Sequence, residues 1–81
     1  MKVKFNDLRP GDVIYPLGYG SHADCCAVVD EIDQTRKLYS PINFTPSIPV
    51  KASVFVEEYG RTFKILLVKD AMVEYNVIFR R

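Results

Sequence analysis

The stretch that decides the fold is "KASVFVEEYGRTFKILLV", residues 51–68. Two runs of alternating apolar and polar residues flank a Tyr-Gly pair, which is the pattern of a β-hairpin. With Tyr59 and Gly60 as the loop, the hairpin places one apolar set on its core face: Ala52, Val54, Val56, Phe63, Ile65 and Leu67. The opposite face is mixed, and it leaves Phe55 and Leu66 available to a second contact surface.

The sequence on either side of this hairpin also predicts short strands. "KVKF", "DVIYPL" and "MVEYNVIF" are rich in β-formers, and the last run places Val73, Tyr75, Val77 and Phe79 on one side. Residues 24–42 predict a further hairpin, and residues 41–49, with three of the five prolines, predict an irregular crossover. Six or seven short strands in 81 residues predict one all-β domain over residues 1–81, a small barrel of five to seven short antiparallel strands.

The order of these segments resembles an SH3-like barrel. The resemblance is carried by "FNDLRPGDVIY", a loop, "AVVDEIDQTRKLYSP" and the final hairpin, with Leu8 shortly before Gly11 and Asp12 at the start of a strand. It implies a ligand surface on the loops, because SH3-like barrels bind peptides, nucleic acids or other subunits without performing chemistry.

A cluster over residues 18–26, "GYGSHADCC", holds the single histidine and both cysteines. The longer stretch "RPGDVIYPLGYGSHADCCAVV" is similar to a hairpin of papain-like peptidoglycan peptidases of the NlpC and CHAP kind, and His22 matches the base of that family. The family's nucleophilic cysteine lies well upstream, whereas no cysteine precedes His22 here. His22 and Cys25 are also about 10 Å apart on an extended chain. We therefore predict no catalytic residue and no enzyme, with a cysteine hydrolase fragment as the least favoured alternative.

The same cluster does not have the spacing of a metal site. His22, Asp24, Cys25 and Cys26 are possible ligands, but they lack the paired spacing that lets two side chains reach one zinc ion. We therefore expect no metal and no cofactor. Adjacent cysteines of a strand point to opposite faces, so both thiols should be free. Free thiols, together with no apolar run that could span a bilayer or form a signal peptide, predict a cytoplasmic protein without a membrane partner.

The charge composition argues against a dedicated polyanion binder. Eleven Lys and Arg against ten Asp and Glu give a net charge of +1. Residues 34–56 nevertheless hold three bases and no acid, and Lys2 and Lys4 would meet the carboxyl-terminal arginines if the terminal strands pair. Binding of single-stranded nucleic acid therefore stays open as an alternative. Its candidate residues are Arg36, Lys37, Tyr39, Lys51, Arg80 and Arg81.

The favoured function is a non-enzymatic module that binds a protein partner. The aromatic, glycine-rich loop of residues 15–22 and the proline-rich crossover of residues 41–49 would form the contact surface, because tyrosines in such loops offer a large contact area at low entropic cost. The candidate residues are Tyr15, Leu17, Tyr19, His22, Phe44 and Ile48. A phage-encoded or accessory inhibitor that occludes a host enzyme is one such module.

Overall fold

The structure, a computed structural model, describes residues 1–18, 23–33, 35, 38–39, 46–69 and 72–80. Its strands are β1 (Lys2–Lys4), β2 (Val13–Ile14), β3 (Ala27–Ile32), β4 (Leu38–Tyr39), β5 (Pro46–Ser47), β6 (Val50–Val56), β7 (Arg61–Leu67) and β8 (Glu74–Phe79). One-turn 3-10 helices cover Phe5–Asp7 and Glu57–Tyr59. The described part contains no α-helix, so the predicted all-β class is confirmed. It also contains no helix with the length and apolar character needed to cross a membrane.

Strands β6 and β7 form the predicted hairpin, with a connection longer than predicted. Val56 pairs with Arg61, so the loop is residues 57–60, and Gly60 adopts the left-handed conformation, with φ of 58°, that closes the turn. The two-residue loop predicted from the sequence was therefore wrong, and the register differs by two residues. Because side chains alternate with a period of two, a shift of two keeps every residue on its predicted face. Ala52, Val54, Val56 and Leu67 are buried, as predicted.

Six strands form one antiparallel sheet in the order β1-β8-β2-β3-β6-β7. Its inner face buries apolar side chains from every strand, together with Phe5 and Leu8 from the segment that follows β1. Strands β1 and β8 pair through Lys2↔Asn76 and Lys4↔Glu74, so the two ends of the chain meet in the sheet. This pairing meets the condition under which Lys2 and Lys4 were expected to approach the carboxyl-terminal arginines.

The hairpin predicted over residues 24–42 is not formed between β3 and β4, the two strands that the structure describes in that range. Strand β3 pairs with β6, from Ala27↔Val54 to Ile32↔Val50. Among the described residues it does not pair with the segment that follows it in sequence. That segment contributes β4, which pairs with β5 in a separate two-stranded sheet. The seven residues of β6 alternate buried apolar and outward side chains, so β6 offers β3 an apolar partner along its whole length. Of the predicted crossover at residues 41–49, only residues 46–49 are described.

The last strand also departs from its predicted face. Of the four residues predicted on one side, Tyr75 and Val77 are buried, whereas Val73 and Phe79 are exposed. Val13 pairs with Phe79 and Ile14 with Val77, so the register shifts between these two pairs. Such a bulge inserts an extra residue into the strand and turns the side chain that follows it towards the other face of the sheet. Within the described residues β1 and β7 end the sheet without pairing to each other, so barrel closure stays a prediction.

Candidate functional site

An apolar stripe crosses the outer face of the sheet, which is the face away from the core. Val13 lies directly opposite Phe79 of β8 on one side and Val28 of β3 on the other. Val28 pairs with Ser53 of β6, and Phe55 is two residues further along β6, a diagonal separation of about 7–8 Å. These four apolar residues, Phe79, Val13, Val28 and Phe55, are called the outer stripe below.

The side chains of the outer stripe are open to solvent. Val28, Phe55 and Phe79 expose 37%, 56% and 59% of their surface, and Val13 is half-buried between them. Three strand spacings of about 4.8 Å separate Phe79 from Phe55, so the stripe is on the order of 14 Å long. Isolated exposed apolar residues need no explanation, but a contiguous row of them marks an interaction surface.

A polar network borders the stripe on the side of β7. Lys64 Nζ donates to Ser53 Oγ at 2.6 Å, and Ser53 Oγ donates to Asp30 Oδ2 at 2.6 Å. Lys64 also lies 3.2 Å from the same carboxylate oxygen. Beside it, Lys51 Nζ is 3.6 Å from Glu31 Oε2. The outer face therefore combines an apolar centre with a charged border, which is the arrangement of a protein-protein contact patch.

A shallow groove of about 460 Å³ adjoins this network. Its walls include Lys51, Lys64 and Leu66, and Leu66 is exposed on the same face as Lys64. The sequence predicted that Phe55 and Leu66 are available to a second contact surface. Both side chains are exposed on the outer face, which confirms that they are available.

The end of the stripe is fixed by an ion pair between the half-buried Arg80 and the buried Asp12, which sequence reasoning missed. Arg80, which follows Phe79, donates from Nε to Asp12 Oδ1 at 2.9 Å and from Nη2 to Asp12 Oδ2 at 2.8 Å. The backbone N–H of Arg9 donates to the same carboxylate at 2.9 Å. These hydrogen bonds, led by that of Arg80, outweigh desolvation and hold the pKa of Asp12 below its ordinary value. The sequence gives one signal for the pair, an acid directly before a buried strand and a base directly after the last strand.

The predicted nucleic-acid residues are divided by the fold. Lys51 lies on β6 beside Glu31, whereas Arg80 lies after β8, three strands away, with its guanidinium on Asp12. A cleft of about 730 Å³ does gather Lys2, Lys4 and Arg9 with Arg80, but Asp7 and Glu74 line it too. Arg36, Lys37 and Arg81, and the side chain of Tyr39, lie outside the described residues.

The predicted protein-binding residues are also divided. Tyr15 is exposed and Ile48 is half-buried, whereas Leu17 is buried in the core and does not offer its side chain to a partner. Leu17 donates its backbone N–H to the carbonyl of Cys25, which ties the start of the loop to the segment before β3. Tyr19, His22 and Phe44 lie outside the described residues.

The two cysteines lie just before β3 and not within a strand as predicted, although one faces the core and one faces solvent as expected. Both are free, Cys25 is half-buried against the core and Cys26 is exposed. Comparisons with protein-family models, with curated proteins and with solved structures found no match to this chain.

Proposed function

We propose that this chain is a non-enzymatic protein-binding module whose contact surface is the outer face of the sheet. The observation that carries the proposal is the outer stripe, an exposed apolar row across four neighbouring strands with a charged network along one side. Protein-protein contacts gain most of their affinity from a few apolar and aromatic side chains at the centre of a patch, and polar groups at the rim exclude water and set orientation.

The rigidity of this surface supports the proposal. Val13, Val28 and Phe55 are held in strands whose inward neighbours Ile14, Ala27 and Val54 are fully buried. Residues of a packed sheet lose little backbone freedom on binding, because their strands are already ordered. Phe79 is held by its neighbour Arg80, which is anchored to Asp12.

The SH3-like barrel belongs to this proposal as its finer architecture. The order β8-β2-β3-β6-β7 is compatible with such a strongly bent five-stranded arrangement, with β1 added outside β8. Tyr15, the first residue of the aromatic loop that the sequence predicted as contact surface, is exposed directly after β2. Tyr15 and the outer stripe are therefore proposed as parts of one surface.

Two valines of nearly equal exposure provide the test. Val28 lies in the outer stripe and is 37% exposed, whereas Val73 lies just before β8 and is 38% exposed. Val73 is about 20 Å along β8 from Phe79, since a strand rises by about 3.3 Å per residue. The tagged wild-type protein, Val28→Glu and Val73→Glu are used for affinity capture from the native host, after circular dichroism and thermal melting confirm that all three are folded.

A protein retained by the wild type and by Val73→Glu, but lost with Val28→Glu, is the expected result. Its identity also tests the sequence-based prediction of an inhibitor that occludes an enzyme. Equal retention by all three proteins would remove the outer stripe from the function. If Val28→Glu does not fold, Phe55→Ala, a truncation at an exposed position, takes its place.

A further inference from the structure

The outer stripe has the same order of side chains when it is followed from either end. It begins at Phe79 on β8 and ends at Phe55 on β6, and the two residues between these aromatic ends, Val13 and Val28, are both valines. An interface between two identical chains that is closed by a two-fold axis uses the same patch on both chains, so that patch must be complementary to itself. The outer stripe meets this requirement, because each kind of side chain occurs once on either side of its centre.

One two-fold arrangement brings like side chains of two stripes together. The axis lies between two facing sheets, at a right angle to the stripe, and it reverses the stripe of the second copy. Phe55 of one copy then faces Phe79 of the other, and Val13 faces Val28. Aromatic rings pack favourably in offset or edge-to-face pairs. Sheets that pack face to face lie about 10 Å apart, which leaves room for one layer of side chains from each copy.

The charged border of the stripe does not oppose a second copy. Lys64 Nζ is 3.2 Å from Asp30 Oδ2, and Lys51 Nζ is 3.6 Å from Glu31 Oε2, so both cations of this border have an acid beside them. The border therefore brings no net charge to the contact, and two copies do not repel each other through it. A balanced border also has no excess charge that would favour a strongly acidic or strongly basic partner instead.

The size of the outer face indicates how strong the contact is. Five neighbouring strands, from β8 to β7, are together about 24 Å wide, and the seven residues of β6 are about 23 Å long. The face therefore covers at most on the order of 500 Å², whereas each partner of a standard protein complex buries about 800 Å². A contact of the smaller size is weak and reversible, so we expect it to form at high protein concentration.

We infer that the outer stripe binds a second copy of this chain, face to face, in a two-fold symmetric dimer in which Phe55 packs on Phe79 of the other copy. The inference rests on the proposed protein-binding function and names the partner of the outer stripe. Two pairs of phenylalanines and two pairs of valines form the centre of the contact, and the charged borders lie at its rim.

Sedimentation equilibrium of the full chain between about 10 µM and 1 mM tests the inference. Three proteins are compared after circular dichroism shows that they are folded: the wild type, Phe55→Glu in the stripe, and Val73→Glu outside it. Both substitutions add one negative charge at an exposed position. The average mass of the wild type and of Val73→Glu should rise at least about 1.5-fold above the 9.3 kDa of one chain, whereas that of Phe55→Glu should stay within about 1.1-fold of it.

A charge-swap pair tests the order of the contacts. In Phe79→Lys and in Phe55→Glu a charged side chain faces a phenylalanine at both ends of the dimer, so each variant alone should remain a monomer. In an equimolar mixture of the two, the introduced lysine faces the introduced glutamate at one end, and two phenylalanines meet at the other end. The mixture should therefore recover at least about half of the rise in mass that the wild type shows.

A measurement on the wild type tests the same order without any substitution, and it decides the question if a charged variant does not fold. In a mixture of isotopically labelled and unlabelled chains, isotope-filtered NMR detects contacts between two copies. Phe55 and Phe79 are on the order of 14 Å apart within one chain, too far for direct contact, so a contact between their rings joins two copies. The dimer should show this contact at about 1 mM protein.

Four results would overturn the inference. The first is the mass of one chain at every concentration, and the second is a dimer that Phe55→Glu does not weaken. The third is a mixture of Phe55→Glu and Phe79→Lys that stays monomeric although the wild type dimerises. The fourth is NMR contact of each ring with its own counterpart in the other copy. After any of these results, Val28→Glu can still lose a different protein in the capture experiment, so failure of this inference and failure of the proposed function can be distinguished.

Discussion

Arg80 and Asp12 are 68 residues apart in sequence and are joined by two hydrogen bonds of 2.8 and 2.9 Å. Asp12 is fully buried at the entry to β2, and Arg80 is the residue after β8. A guanidinium that donates two hydrogen bonds to one carboxylate forms one of the stronger polar contacts in proteins. The opposite charges and the planar geometry of the two groups both favour this contact. The pair therefore attaches the end of β8 to the turn before β2 and holds Phe79 at the end of the outer stripe.

Acid should weaken this attachment. The pKa of Asp12 is lowered in the folded protein, chiefly by the hydrogen bond from Arg80, relative to an ordinary value of 3.8. A carboxyl group with a lowered pKa contributes stability that is fully present above its unfolded pKa and is lost as the pH falls through its folded pKa. The free energy of unfolding contributed by Asp12 should therefore be constant near neutral pH and decline below about pH 4.

Urea unfolding of the wild type and of Asp12→Asn across pH 3 to 7 checks this expectation. The wild type should be the more stable protein at pH 7, and the difference should shrink as the pH falls below the ordinary Asp pKa of 3.8. A difference that is the same at pH 3 and at pH 7 would show that the ionised carboxylate does not stabilise the fold.

Two adjacent leucines test the faces of β7. Leu67 is completely buried opposite Val50, whereas Leu66 is 39% exposed opposite Lys51. Leu67→Ala should lower the free energy of unfolding by about 2–5 kcal/mol because it leaves a cavity in the core, and Leu66→Ala should change it by less than about 1 kcal/mol. Equal losses in denaturant unfolding of the two variants would place the strand in a different register.

The sequence predicted the β6–β7 hairpin because its signal is local. Alternation over two runs of seven residues determines the faces, and an error of two residues in the loop leaves those faces unchanged. The pairing of β3 with β6 could not be predicted in the same way. It joins segments about 23 residues apart, and the intervening residues also carry apolar runs that suit a shorter hairpin.

The candidate site could be predicted only in part, because only its local features leave a signal in the sequence. The exposure of Phe55 follows from the hairpin pattern, but the stripe requires Val13, Val28 and Phe79 to be neighbours across three strand pairings. Phe79 was predicted on the same side as Val77 because strict alternation places it there, and a bulge leaves little trace in a single sequence. Leu17 was assigned to the surface because it follows a proline in a glycine-rich loop, yet its side chain completes the core.

The two cysteines should differ in reactivity. Cys26 is exposed, whereas Cys25 is half-buried against the core. Under native conditions a thiol reagent should modify Cys26 at least about tenfold faster than Cys25, because access limits the reaction of the covered thiol. Peptide mapping by mass spectrometry during the reaction measures both rates. Faster modification of Cys25 would contradict the packing of the segment before β3.

The most direct test of the proposed function is titration calorimetry of the captured partner with the wild type and with Phe55→Ala. The affinity of each is measured at 50 and at 200 mM salt. Phe55 is an exposed aromatic residue of the outer stripe, so its truncation should weaken binding at least about fivefold, which corresponds to about 1 kcal/mol. Affinity should change only modestly between the two salt concentrations, because rim charges mainly set the rate of association. Unchanged affinity in Phe55→Ala, or capture of a nucleic acid whose affinity falls by about 1,000-fold or more with the added salt, would contradict a protein-binding function of the outer face.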